Sequence, residues 1–194
     1  MKRLNEENPN TVEYMNATLH EEGGELNYGD MGRYELLAKH FAGGRFIDIG
    51  CYHSPLAVEM KKKFPEAECF ALDHADKLME HFQGMYPDVH YITSDCHTMP
   101  FPDSFFDYAV AGELIEHLEE PEKFIAEAMR ILKPGGWFTL STPLRETHGG
   151  RSIGGKYHLW SFELEDIEDF LKQYGVPEVV EDNRVIEAWV QKTL

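Results

Sequence analysis

Arg45-Phe46-Ile47-Asp48-Ile49-Gly50-Cys51-Tyr52-His53-Ser54-Pro55 is the stretch that decides the fold. A short apolar run ends in a glycine, as a buried strand does at a sharp turn. Ser54-Pro55 then opens a helix, an N-cap residue followed by proline at the first helical position. A strand feeding a helix through a glycine turn is the opening unit of an alternating α/β sheet.

The pattern repeats downstream. The helix begun at Ser54 runs to about Phe64, where Pro65 ends it. Cys69 to Leu72 reads as the second strand, closed by Asp73, and Leu78, Met79, Phe82 and Met85 mark the next helix. Val89 to Thr93 and Phe106 to Ala111 read as the third and fourth strands. Pro121 opens a helix with Phe124, Ile125, Ala128, Ile131 and Leu132 facing inward. Lys133 to Gly136 reads as a turn and Trp137 to Ser141 as the fifth strand. Leu164, Ile167, Leu171 and Tyr174 define a last helix, followed by short strands near Glu178 to Val180 and Val185 to Gln191. Upstream, Tyr34, Leu37, Ala38 and Phe41 share a face of a helix over Arg33 to Phe41, stopped by Gly43-Gly44. Alternating strands and helices predict a doubly wound, mainly parallel sheet with helices on both faces, in a single domain over residues 31–194. Residues 1–30, mixed and rich in Glu, Asn and Gly, read as a flexible arm or lid, with Tyr14 and Tyr28 available to close over a ligand. The connection from Thr142 to Trp160 is long for a plain linker and reads as a functional loop.

The 194 residues are 42% hydrophobic and 27% charged, which suits one core, and the net charge is −17. Nucleic-acid binders need clustered Lys and Arg. Lys61-Lys62-Lys63 is the one basic run and reads as a solvated helix face, so a nucleic-acid partner is disfavoured. No stretch has the length of a membrane span, and the first ten residues lack the apolar core of a secretory signal. Three cysteines without a CxxC pair predict a reducing compartment, hence a cytoplasmic protein.

In such a sheet a ligand sits beyond the carboxyl ends of the strands, at the switch point. Chemistry-bearing residues recur there: Asp48, Gly50, Cys51 and Tyr52 after the first strand; Asp73 and His74 after the second; Asp95 and Cys96 after the third; Gly112 and Glu113 after the fourth. Gly50 permits a tight turn. Asp73, some twenty residues on, can accept two hydrogen bonds from ribose hydroxyls. Asp95 can accept from an adenine amine, and Asp48 adds negative potential. Cys51 and Cys96 read as small packing groups, since nothing supplies an activating base.

Phe46 to Cys51 resembles the first motif of class I S-adenosylmethionine-dependent methyltransferases. Asp73 is similar to their ribose-binding acid, and Asp95 followed by Met99-Pro100-Phe101 to their adenine-contacting loop. Phe106 to Val110 and Leu132 to Gly136 resemble their fourth and fifth motifs. Among class I enzymes it resembles methyltransferase type 11 and the O-methyltransferases of ubiquinone biosynthesis. The resemblance spans roughly Arg33 to Leu144. It implies a Rossmann-like seven-stranded sheet with the last strand antiparallel, and S-adenosylmethionine as cofactor, held by Asp48, Gly50, Cys51, Tyr52, Asp73, His74, Asp95, Cys96 and Gly112. The family usually carries glycines where this chain has Tyr52 and Ser54. Tyrosine avoids φ > 0, so the loop is either reshaped or binds more weakly.

Glu113, Glu116 and His117 stand at i, i+3 and i+4 and would share one helical face. With His158 from the long connection they offer two carboxylates and two imidazoles, a donor set for a divalent ion such as Mg. The pattern resembles that of small-RNA 2′-O-methyltransferases and ubiquinone-biosynthesis O-methyltransferases, in which a metal orients and acidifies the acceptor oxygen. It implies His117 as a catalytic residue. His148 is a further candidate in the loop. The same residues admit a plain structural reading, with glutamates complementing a helix dipole, His117 packing and His158 anchoring its loop. Trp160 and Phe162 fit a pocket wall or the core. Three functions stay open: a methyltransferase acting on a small molecule at oxygen; a decayed cofactor-binding or protein-interaction module, favoured by Tyr52; and a nucleotide-dependent dehydrogenase, opposed by the missing glycines of G-x-G-x-x-G.

Overall fold

Seven strands form one sheet: β1 (Arg45–Ile49), β2 (Glu68–Asp73), β3 (His90–Thr93), β4 (Phe106–Gly112), β5 (Leu132–Pro143), β6 (Pro177–Asp182) and β7 (Val185–Gln191). Their order is β6-β7-β5-β4-β1-β2-β3, with β7 alone running against the rest. This computed structural model describes residues 1–4, 10–21, 24–27, 31–144, 147–148, 151–152 and 157–193. The strand order reverses at β1, whose neighbours are β2 and β4, so the two crossovers leave a crevice beyond its carboxyl end.

The helices α1 (Val12–Glu21), α2 (Met31–Leu37), α3 (Leu56–Lys63), α4 (Asp76–Met85), α5 (Pro121–Ile131) and α6 (Leu164–Leu171) sandwich the sheet. Phe46 to Ile49 are buried without a break, as a strand covered on both faces requires. One face buries Leu37, Phe46, Leu56, Met60, Leu78, Phe82 and Tyr108 beneath α2, α3 and α4. The other buries Phe106, Phe124, Ile131, Phe138, Leu140, Phe162, Ile167 and Leu171 beneath α5 and α6. Phe162 is therefore a core residue.

Several boundaries differ from those expected. The second of these helices, α2, is Met31–Leu37 rather than Arg33 to Phe41, and the chain turns through Ala38 to Phe41. The Lys133 to Gly136 turn lies within the span of β5. Phe106 pairs with Leu132 but Tyr108 with Trp137, so residues 133–136 form a bulge. Asp107 explains it: the Lys133 ammonium reaches its two carboxylate oxygens at 2.7 and 2.8 Å, and the Arg45 N–H donates to the same carboxylate at 2.8 Å. The arm also carries structure. Lys2 and Arg3 pair with Ser161 and Trp160, and Asn16 of α1 caps α4 by accepting from the Lys77 N–H at 3.1 Å. Tyr14 stacks on Tyr157; Tyr28 lies outside the described residues. Among the described residues no helix is long and apolar enough to cross a membrane.

The Tyr108 hydroxyl joins α2 to the sheet, donating to the Leu37 carbonyl at 2.7 Å and meeting Thr139 Oγ1 at 2.9 Å, all buried. Tyr108→Phe leaves both partners short of a bond, at a cost of about 1–3 kcal/mol. Urea unfolding should show that loss; a change below about 0.5 kcal/mol, the usual range of surface substitutions, would mean that α2 is not held this way.

Candidate active site

Gly50 ends β1 with φ +71°, and a Cβ there would stand 2.6 Å from the Leu114 side chain. The glycine is thus needed for its left-handed backbone and for the close approach of Leu114. Two residues on, Tyr52 also has φ +41°, the conformation a glycine would take. Holding tyrosine there costs about 1–2 kcal/mol. Its backbone N–H donates to Asp73 Oδ2 at 3.0 Å, and a hydrogen bond to a charged acceptor contributes about 1.5–3 kcal/mol. The bond is of the same order as the strain and offsets it, and the loop holds the left-handed conformation with tyrosine in place.

Asp73, at the end of β2, is buried, and its Oδ1 accepts from the Ala75 N–H at 3.1 Å. Each ionised oxygen has a second lone pair, so the carboxylate is anchored by backbone and still able to accept from a diol. Asp48 is 3% exposed and its Oδ2 has no hydrogen-bond partner. Burial raises its pKa to about 7, against the pull of a hydrogen bond from Ser54 and with a push from Asp73. Beyond β3, Asp95 Oδ1 accepts from the His97 N–H at 2.8 Å and meets His97 Nδ1 at 2.7 Å. Burial opposes ionisation of Asp95, but the bonds from His97 overcome it and hold the carboxyl below its usual range. His74 follows Asp73 with a buried, unpartnered Nε2. Gly112, at the end of β4, pairs with Ser141. Burial pushes the Cys96 thiol up to about 12 and the Cys51 thiol well above its ordinary range, so neither is a thiolate at neutral pH. These residues fit an adenosyl ligand: a buried unpartnered carboxyl oxygen, an anchored acid for the ribose and a left-handed loop between them.

The candidate metal residues divide. Glu116, His117 and His158 bring one donor atom each within 4.8 Å of one another. Glu113 is outside this group. Its φ is +52° and the helical turn, of 3-10 type, begins only at Ile115, so the i, i+3, i+4 spacing does not hold one face. Glu113 instead accepts from Ser141 Oγ at 2.9 Å and lies 3.4 Å from Arg33. Glu116 is 1% exposed and accepts from Thr142 Oγ1 at 2.9 Å. His117 Nδ1 lies 2.8 Å from the Tyr157 carbonyl, its Nε2 is 3.8 Å from Glu116 Oε1, and its ring meets His158 edge-on at 4.7 Å. The long connection does return over this turn: the Leu159 N–H donates to the Glu116 carbonyl at 2.7 Å, and Trp160 Nε1 to the Leu118 carbonyl at 2.7 Å. His148 belongs to a two-stranded ribbon with Arg151, and its side chain lies outside the described residues.

A family described as a methyltransferase domain matches residues 47–140. A Mycolicibacterium smegmatis protein, named a probable S-adenosylmethionine-dependent methyltransferase, is 32% identical over 73% of this chain and 55% of its own length. Residues 47–140 thus carry a methyltransferase domain of this family. The malonyl-[acyl-carrier protein] O-methyltransferase of Hahella chejuensis is 31% identical over 52% of this chain and 37% of its own length. The chain thus spans about half or less of the length of these curated relatives. The phosphoethanolamine N-methyltransferase 2 of Haemonchus contortus, solved with phosphomonomethylethanolamine and S-adenosylhomocysteine, superposes with a TM-score of 0.65 at 24% identity, covering 78% of this chain and 39% of its own. That likeness speaks for the fold alone.

Sequence reasoning missed the strap over the loop. His53, 2% exposed, has Nδ1 2.7 Å from the Glu25 carbonyl, its own carbonyl accepts from the Asn27 N–H at 2.8 Å, and His81 Nε2 lies 2.8 Å from the Gly24 carbonyl. Buried Leu26 sits between them. Residues 24–27 carry no helical or strand period, so the only signal was the buried apolar Leu26 in a polar stretch.

Asp48 makes stability depend on pH. Its folded pKa of about 7 lies above the ordinary carboxyl value, so its contribution is complete below about pH 4 and is lost as pH rises to 7. The loss totals on the order of 4 kcal/mol. Urea unfolding between pH 4.5 and 7.5 should show Asp48→Asn flattening that slope. A slope unchanged by the substitution would place the titrating group elsewhere.

Proposed function

We propose that the chain transfers the methyl group of S-adenosylmethionine to an oxygen of a small-molecule acceptor. The observation that carries this reading is the anchored Asp73 carboxylate, facing a loop whose left-handed conformation survives the loss of a glycine. Asp73 accepts from the ribose, Asp95 from the adenine amine, and Asp48, about half ionised at neutral pH in the free protein, supplies negative potential once a cationic ligand favours its carboxylate. Cys51, Cys96, His74 and Gly112 line the same edge. Residues 1–30 serve as the lid of the domain formed by residues 31–194, which the strap at 24–27 supports. When bound, S-adenosylmethionine supplies an electrophilic methyl group with a good leaving group, so the protein's work is chiefly orientation.

His117 takes the proton of the acceptor hydroxyl, its ring oriented by the Tyr157 carbonyl. In place of that base, Glu116, His117 and His158 would hold a divalent ion such as Mg, with His117 then a ligand; when bound the ion would supply Lewis acidity to the acceptor oxygen. The acidic surface speaks against nucleic acid as acceptor. The three free, buried cysteines accord with a reducing, cytoplasmic setting.

Calorimetric titration with S-adenosylhomocysteine tests the site. Asp73→Ala should weaken binding by about 1–3 kcal/mol, the loss of hydrogen bonds to a charged group; unaltered affinity would contradict the ribose assignment. In a methyl-transfer assay, Glu116→Ala and His158→Ala should remove any dependence on added Mg while leaving S-adenosylhomocysteine affinity unchanged. Dependence retained in both variants would remove the metal from the reading.

A further inference from the structure

Between α2 and the β6–β7 turn lies a cavity of about 410 Å³ whose walls include Arg33, Leu36, Asp182, Asn183 and Glu187. It is on the carboxyl edge of the sheet. Glu187 of β7 pairs with Ser141 of β5, which pairs with Gly112 of β4. Two strand spacings, about 10 Å, therefore separate Glu187 from the end of β4.

Glu187 is unusual for such a place. It is 2% exposed, and its Oε2 takes no hydrogen bond. A buried carboxyl oxygen without a donor is costly, and neighbouring positions on the same strand are the apolar Ile186, Ala188 and Trp189 of the core. Burial chiefly, with Asp182 next, raises its pKa, while Arg33 and Lys39 pull the other way and Glu113 adds to the push. Arg33 stands 3.4 Å from Glu113 and Lys39 3.1 Å from Glu178, so each nearby cation faces a carboxylate other than Glu187. Asp182 on the same rim leaves the cavity with two carboxyl groups against one guanidinium that is already shared. Leu36 gives it an apolar wall. What such a cavity lacks is a positively charged donor with a short alkyl or aryl body.

We propose that Glu187 and Asp182 form a subsite for an ammonium group, and that the methyl acceptor is an amine-bearing hydroxyl compound anchored there. The identity of the acceptor rests on the methyltransferase reading; the ammonium subsite does not. A cation seated at Glu187 supplies the missing donor and favours the ionised carboxylate. It also fixes one end of the acceptor about two strand spacings from the end of β4, so that the hydroxyl end rather than the nitrogen extends toward the edge that carries the cofactor residues.

Amide NMR of the full chain titrated with n-butylammonium, 1-butanol and butyrate tests this, three probes of one length differing in head group. n-Butylammonium alone should shift the signals of Arg33, Asn183 and Glu187. Glu187→Gln should raise its Kd at least tenfold and Asp182→Asn, on the rim, severalfold. Affinity for S-adenosylhomocysteine should stay within twofold in both. Equal response to butanol, a preference for butyrate, or amine affinity unchanged in both variants would overturn the subsite. Amine binding without any S-adenosylhomocysteine binding to the parent chain would instead overturn the methyl-transfer reading and the acceptor assignment with it, leaving the subsite standing.

Discussion

The hydrogen bond from the Tyr52 N–H to Asp73 Oδ2 ties the end of β1 to the end of β2, and the geometry of the site follows from it. It holds a non-glycine residue in a left-handed conformation. From there the chain turns so that His53 is buried against Phe82 and grips the strap, while Ser54 comes back under Asp48. A parallel sheet leaves its carboxyl edge as a fan of unpaired strand ends. This bond closes the fan where the strand order reverses, and so turns a crevice into a site.

The sheet was legible because its central strands are buried on both faces. Phe46 to Ile49 and Tyr108 to Ala111 are apolar enough to stand out without any period. The residues at the strand ends were legible for a related reason: polar side chains that interrupt apolar runs mark where the sheet stops. Asp73 and Asp95 were found that way; Asp48, expected after the first strand, lies within β1, paired with Ala71 and Val110, and stood out as a charge between apolar neighbours. What was hidden depends on contacts between distant segments. Asn10 Nδ2 and the Tyr157 carbonyl meet at 2.8 Å beside His117, from segments 147 residues apart, and neither carries a local signal.

Glu113 shows how spacing misleads. Counting i, i+3 and i+4 presumes an α-helix, but the chain takes a positive φ at Glu113 before a single 3-10 turn. Three residues per turn, not 3.6, then govern which side chains align. Glu116 and His117 meet His158 all the same, because the returning loop is fastened to the backbone of that turn by Leu159 and to its end by Trp160. Glu187 was overlooked for the opposite reason. In Val185 to Gln191 it is a single charge in an otherwise apolar run, with no pattern to mark it as functional, yet the strand lies inside the sheet and the side chain is buried.

That position of β7 has a kinetic side. β7 follows β6 along the chain but lies inside it, against β5. The Asn183-Arg184 turn, with both φ positive, suits a tight two-residue hairpin, so β6 and β7 can pair locally and dock as one unit. Until they do, the long edge of β5 presents open backbone donors and acceptors, the template on which strands of other chains add. The interval between forming the parallel half of the sheet and docking the hairpin is thus the period in which this chain is most exposed to self-association.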